Sequence, residues 1–198
     1  MIKKFITFEG LDGCGKSTQA NLLKMHFENR GEETLFLREP GGTPLGELLR
    51  TSILKKNVEI NPHAEALLFA ASRIQLTEEI KKYYTKKTII CDRFLDSSLA
   101  YQCGGRGVSL EFLKKINTFA NIEPNITFLI KVNPETSFKR VLAQGKIDRI
   151  ESESLQFYEA VYEFYKKLAK DNENRIIVLD GHQKVEEIHK EILSYLRL

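Results

Sequence analysis

The sequence contains no tryptophan and only three cysteines, Cys14, Cys91 and Cys103. An odd, scattered set without metal-ligand spacing builds neither a disulfide framework nor a zinc site. It suits a reducing, cytoplasmic setting, with the thiols as small inert residues. The four histidines, His26, His63, His182 and His189, are equally scattered. Charge of one sign is missing too: 30 Lys and Arg against 27 Asp and Glu leave a net charge of +3. Proteins that grip nucleic-acid polymers usually carry a strongly basic domain or stripe, so no such partner is expected. A local basic pocket for a small polyanion remains open. No apolar run approaches the ~20 residues of a membrane-spanning helix, so no membrane partner is expected. Residues 1–8 are too short, and too soon followed by Glu9, for a secretory signal. Repeats, low-complexity segments and linkers are absent, which predicts one domain over residues 1–198. A chain of this length buries roughly 70% of its unfolded surface.

What is present is organised around Gly10-Leu11-Asp12-Gly13-Cys14-Gly15-Lys16-Ser17-Thr18. This is G-x-x-x-x-G-K-[ST], a phosphate-binding loop. Phosphates need converging donors with no side chains in the way, and glycines let consecutive N–H groups face one concavity. A helix starting at Lys16 adds its free N–H groups and positive dipole end. Lys16 can reach the β- and γ-phosphates, and the Ser17 hydroxyl can ligate Mg²⁺. The loop needs a strand before it and a helix after it. Residues 4–8 are a β-rich run, and Ala20, Leu22, Leu23 and Phe27 follow at helical spacing.

Apolar runs at 4–8, 34–37, 88–92, 126–132 and 176–179 are short and nearly continuous, as in parallel strands covered on both faces. Helical patterns separate them at 17–29, 45–54, 64–83, 97–102, 110–121, 134–143, 152–169 and 185–196. This alternation predicts an α/β, doubly wound sheet of five parallel strands. Ligands gather beyond the carboxyl ends of such strands. There stand Glu9, Arg38-Glu39-Pro40, Asp92-Arg93 and Asn133.

Several side chains suit phosphate and nucleoside chemistry. Arg38, at a strand end, is placed for a bidentate phosphate contact. Asp92 can hold Mg²⁺ or its waters, and Arg93 can bridge two phosphates. Phe69 and Arg73 lie four apart on a predicted helix. Spacing alone favours a core ring beside a surface charge, with Leu67, Ala71 and Ile74 on the core face; stacking on a planar base is the alternative. Ser97, Ser98, Tyr101 and Gln102 offer neutral donors and acceptors, and Gly104, Gly105 and Gly107 end their helix. In the charged stretch 140–153, Gln144-Gly145 breaks a helix and Asp148-Arg149-Ile150-Glu151 restarts one. A mobile lid bearing Arg140, Lys146 and Arg149 can close over ATP and exclude water.

Together, Phe8–Gln19 in the loop, Arg38-Glu-Pro-Gly-Gly-Thr43, Phe69-Ala-Ala-Ser-Arg73, Asp92-Arg-Phe94, Ser97-Ser-Leu-Ala-Tyr-Gln102 and Asp148-Arg-Ile-Glu151 resemble the bacterial thymidylate kinase family. The segments keep the family's order over nearly the whole chain. The resemblance implies a P-loop kinase fold with sheet order 2-3-1-4-5, a homodimer built from helices, and Mg²⁺-dependent transfer of the ATP γ-phosphoryl to dTMP. It also implies residue roles. Residues Gly10 to Thr18 and Arg140 would bind ATP, with Arg140 against adenine. Asp12 would accept from the dTMP 3′-hydroxyl. Phe69 would stack on thymine and Arg73 would donate to its O4, reversing the preference from spacing. Arg38 and Arg93 would hold phosphates. Tyr101 would crowd the 2′ position, Gln102 would meet the thymine edge, and Ser98 would join the same site. Lys16, Arg93, Arg149 and Lys146 would supply catalytic charge, and Ser17 with Asp92 would hold the metal.

The departures concern charge. Some relatives carry a basic residue inside the loop; here Leu11, Asp12, Gly13 and Cys14 include none. Leu142 and Gln144 stand where relatives often have arginine, so Lys146 or Arg149 is expected to compensate. Two rival readings are a kinase of another nucleoside monophosphate and a GTPase-like switch. The second would typically carry an N-K-x-D segment, and none occurs.

Overall fold

The structure, a computed structural model, describes residues 4–145 and 147–198. Five strands, β1 (Phe5–Glu9), β2 (Thr34–Arg38), β3 (Thr88–Asp92), β4 (Ile126–Lys131) and β5 (Ile176–Asp180), form one parallel sheet in the order β2-β3-β1-β4-β5. Central β1 is buried along its whole length, which is why it reads as an unbroken apolar run. Its register with Ile89–Asp92 and Ile126–Leu129 brings Glu9, Asp92 and Lys131 to one end of the sheet. The chemistry gathers at that end.

Helices cover both faces: α1 (Lys16–Asn29), α2 (Pro44–Leu54), α3 (Pro62–Tyr83), α4 (Leu95–Ser98), α5 (Leu110–Asn117), α6 (Pro134–Ala143), α7 (Leu155–Asp171) and α8 (Val185–Leu196). One core cluster joins α1 and α8 to the sheet through Phe8, Leu23, Phe128 and Ile192. Another gathers Tyr101, Leu129, Tyr158 and Val161 under α7. Three helices start with a polar cap followed by proline. Thr43 accepts from the Gly46 amide at 3.0 Å, Asn61 from His63 at 2.9 Å and Asn133 from Thr136 at 2.8 Å. Pro44, Pro62 and Pro134 then occupy the first turn, where a missing N–H costs nothing.

Three local expectations need correction. The helix expected at 97–102 is a π-helical stretch, Leu99–Gly105. Gly107, at φ 70°, follows the C-cap and ends it as expected, whereas Gly104 and Gly105 lie within it and let it approach α7: a Cβ on Gly105 would lie 2.4 Å from the Phe157 ring. Asp148 to Glu151 do not restart a helix. They form a turn in which Asp148 Oδ1 accepts from the amides of Ile150 (2.8 Å) and Glu151 (2.9 Å), and α7 begins only at Leu155. On α3, Leu67 and Ala71 face outward, while Glu65, Ser72, Arg73 and Thr77 are buried. The apolar pattern misleads because α3 packs mainly on other helices and turns polar groups toward the cleft described below.

Candidate active site

The phosphate loop joins β1 to α1. Gly10 has φ 137°, and a Cβ there would sit 2.5 Å from the Ile130 carbonyl oxygen, so β4 leaves no room for a side chain. Gly15 caps α1 in the left-handed region with no side-chain hydrogen bond. The first-turn N–H groups are thus left for an anion. Lys16 Nζ lies 3.3 Å from both the Leu11 carbonyl and Asp12 Oδ1. Helix α6 braces the loop: Ser137 Oγ donates to the Asp12 carbonyl, and Arg140 Nη1 to the Gly13 carbonyl at 3.2 Å. Ser17 and Thr18 are exposed at the mouth.

Asp12 is the electrostatic centre. Its Oδ1 accepts from Arg93 Nη2 at 2.5 Å and its Oδ2 from Tyr101 OH at 2.8 Å. Burial pushes the Asp12 carboxyl up, but the Arg93 and Lys16 charges and the Tyr101 hydrogen bond hold it well below the usual carboxylate range. Arg93 also donates to the Gly10 carbonyl (3.0 Å), Ser97 Oγ (2.9 Å) and Tyr101 OH (3.0 Å). Its guanidinium lies 4.9 Å from the Tyr101 ring centroid. Burial alone would lower the Arg93 pKa; Asp12 raises it well above its ordinary value. Arg93 holds φ 68°, an uncommon conformation for a side-chain-bearing residue, at the turn that delivers it to the loop.

Behind Arg93, Glu9 accepts from the Phe94 amide (2.8 Å), from Tyr165 OH (3.0 Å) and from Ser97 Oγ. Burial, reinforced by the Asp96 charge, raises Glu9 to about 7.

An open cleft runs from Asp12 and Arg93 to a far wall of Phe69, Arg73, Ser98, Tyr101 and Gln102. Arg73 is 1% exposed, so it is no surface charge. Its Nε and Nη2 donate to Glu39 Oε2 (2.8 and 2.5 Å), its Nη1 to Asn117 (2.7 Å), and its Nη2 also to Ser98 Oγ (2.7 Å). Burial raises Glu39 to about 7 despite the Arg73 charge. Gln102 donates to Glu65 at 3.0 Å. Phe69 is half-buried on the cleft wall.

The metal expectation can be tested on the oxygens present. Ser17 Oγ donates to Asp92 Oδ2 at 2.5 Å, and Asp92 Oδ1 is buried without a partner among the described residues. A hydroxyl and a carboxylate with spare acceptor capacity, beside a phosphate loop, fit a hard cation such as Mg²⁺.

Not every expected residue reaches the cleft. Arg38 is half-exposed and paired with Glu47 at 2.8 Å, outside the cleft lining. Arg149 donates to Glu65 Oε2 (2.6 Å) and to the Ile53 carbonyl (2.8 Å), not to the phosphate loop. Lys146 lies outside the described residues. Conversely, Arg50 lines the cleft, with Nη1 on the Pro40 carbonyl at 2.9 Å. The helical spacing of Gly46, Arg50, Ile53 and Leu54 was a signal for it, since Gly46 and Ile53 are buried. Glu9, Glu39, Glu65 and Tyr165 carried no local signal of their partners.

Comparison with known proteins agrees with this geometry. Residues 8–192 match the thymidylate kinase family. A thymidylate kinase of Kosmotoga olearia is 43% identical over 194 residues, 96% of this chain and 93% of its own length. One from Caldanaerobacter subterraneus subsp. tengcongensis is 45% identical over 196 residues, with the same two coverages. The crystal structure of thymidylate kinase from Ehrlichia chaffeensis superposes with a TM-score of 0.81 at 32% identity, covering 100% of both chains. A phosphate loop on β1, a cleft lined by arginines and carboxylates beside it and this likeness along the whole chain lead to one conclusion: the chain belongs to the thymidylate kinase family.

Proposed function

We propose that the protein transfers the γ-phosphoryl group of ATP to dTMP, giving ADP and dTDP, as part of dTTP synthesis. The observation that carries this reading is the convergence of Lys16 and Arg93 on Asp12, between the phosphate loop and the Phe69–Arg73–Gln102 wall.

The acceptor phosphate is itself the nucleophile and is already anionic, so no general base is required. Transfer needs positioning and charge neutralisation. In this reading Lys16 and Arg93 exchange their contacts on Asp12 for substrate phosphates. Asp12, still held by the Tyr101 hydroxyl, then accepts from the acceptor 3′-hydroxyl. Phe69 stacks on the thymine ring, Arg73 and Ser98 read its edge, and Tyr101 crowds the sugar. Ser17 and Asp92 would hold Mg²⁺, which would screen the phosphate charge. Arg140, above Gly13, would lie along the ATP base. Arg50, already in the cleft, is a further cation for the acceptor phosphate. Residues 140–153 would act as a lid; Asp148, Ile150 and Glu151 line the cleft from that segment.

A homodimer is supported by apolar side chains left outside on two neighbouring helices: Leu45 and Leu48 of α2 and Leu67 of α3. Among the described residues no helix is long and apolar enough to cross a membrane. The three free thiols suit a cytoplasmic setting.

A coupled ADP-release assay across dTMP, dUMP, CMP, AMP and GMP tests the function. dTMP is expected to be the preferred acceptor. Preference for another monophosphate, or slow hydrolysis indifferent to any acceptor, would overturn the reading.

A further inference from the structure

The orientation of one polar group in the cleft is decided by a residue that does not line it. Gln102 lines the cleft and is 1% exposed. Its Nε2 donates to Glu65 Oε1 at 3.0 Å, and its Oε1 is buried without a partner among the described residues. A glutamine amide offers a donor at one end and an acceptor at the other, and a flip exchanges them. A carboxylate only accepts, so Glu65 obliges the NH₂ end to face it. Glu65 is itself held from other sides. Arg106 Nε donates to the same Oε1 at 3.1 Å, and Arg149 Nη2 to Oε2 at 2.6 Å.

We propose that Glu65 is a positioning residue that sets acceptor-base specificity: it fixes the Gln102 amide so that its carbonyl is the group presented to the base. The proposal rests on the dTMP reading of the cleft. The N3 of thymine carries a hydrogen and can donate to that carbonyl. The N3 of cytosine carries a lone pair and would face it acceptor to acceptor. Both groups would then be buried unpaired, a loss that sites built for a hydrogen bond use to reject an analogue. Arg73, a donor, matches a carbonyl at position 4 and repels the amino group of cytosine. The two residues together read a donor at N3 and an acceptor at O4.

The test compares kcat/KM for dTMP and dCMP in wild type, Glu65→Gln, Gln102→Met and the double variant. A glutamine at 65 can donate or accept, so Gln102 becomes free to flip. Glu65→Gln is expected to lower the dTMP:dCMP ratio by at least ~10-fold. Gln102→Met is expected to lower it comparably, and the double variant by no more than about 2-fold beyond Gln102→Met alone, because Glu65 acts through Gln102. A merely structural role would lower both substrates together and leave the ratio unchanged, which would overturn the proposal. So would additive effects of the two changes. Glu65→Gln leaves Arg106 and Arg149 short of an anion, so Glu65→Gln with Arg106→Gln is the second variant. The wild type alone also decides: dCMP and N3-methylated dTMP must both be poor acceptors, and turnover of either near that of dTMP overturns the proposal. Failure of dTMP itself to react would instead overturn the proposed function. Equilibrium binding of dTMP and dCMP to the same proteins would then read the same ratio.

Discussion

Arg93 Nη2 and Asp12 Oδ1 meet at 2.5 Å across 81 residues of chain, with Lys16 on the same oxygen at 3.3 Å. Two cations are thus parked on one carboxylate beside the phosphate loop. A phosphate entering there meets preorganised positive charge, and Asp12 holds that charge in place meanwhile.

Removing either cation should therefore act on transfer itself. Lys16→Ala and Arg93→Ala are each expected to lower kcat at least ~10²-fold with ATP and dTMP, the scale of one lost preorganised donor. Arg93→Lys should recover little, since an ammonium cannot reproduce the bonds to Gly10, Asp12, Ser97 and Tyr101. Near-wild-type turnover in either alanine variant would refute the assignment.

Asp12→Asn probes the acceptor sugar. Wild type should prefer dTMP over the analogue lacking the 3′-hydroxyl. In the variant that preference should shrink by roughly 10-fold, the worth of a hydrogen bond to a charged group. A preference that survives intact would place the 3′-hydroxyl elsewhere.

Asp92→Asn and Ser17→Ala probe the metal. Each should raise the Mg²⁺ concentration giving half-maximal activity by roughly 10–100-fold. Chelation of the metal should abolish turnover in wild type. An unchanged Mg²⁺ titration in both variants would remove them from the metal site.

Glu9 gives a pH signature of stability. It sits at about 7 in the folded chain, against about 4.3 in an unfolded one. Between these values the folded chain keeps a proton that the unfolded chain has lost. This group's stabilisation is therefore full below about pH 4 and lost as the pH rises through about 7. Glu9→Gln removes the titration, so its Tm should fall less than that of wild type between about pH 5 and pH 8. Parallel profiles would show that Glu9 does not titrate in that window.

For the dimer, Leu48→Glu places a charge at an exposed apolar position, 69% accessible in the single chain. Light scattering should then report a monomer where wild type reports a dimer. Two monomeric proteins would disprove the assembly.

Much of the fold was legible, and the reason is local. Continuous apolar runs marked the five strands to within a residue at each end, because a parallel strand covered on both faces tolerates little else. The helical patterns starting at 45, 64 and 134 fell within two residues of the helix starts at Pro44, Pro62 and Pro134, where a polar cap followed by proline fixes the first turn. The inner face of α3 was not legible. Its buried side includes Glu65, Ser72, Arg73 and Thr77, and helical periodicity reads such residues as solvent-facing. The turn at Asp148 also escaped, since its carboxylate accepts from the amides that a helix would otherwise use.

By itself the sequence determined the phosphate loop, from Gly10 to Ser17. Its function depends on backbone shape and on the residue that starts a helix, and both are set within a few positions. Only the tertiary structure decided which charges serve the cleft. Arg73 is tied to Glu39 across 34 residues, Gln102 to Glu65 across 37 and Phe94 to Glu9 across 85. It also placed Arg38 on Glu47 and Arg149 on Glu65, and brought Arg50 to the cleft instead. A charged side chain takes its role from the partner that packing brings to it, and no local pattern records that partner.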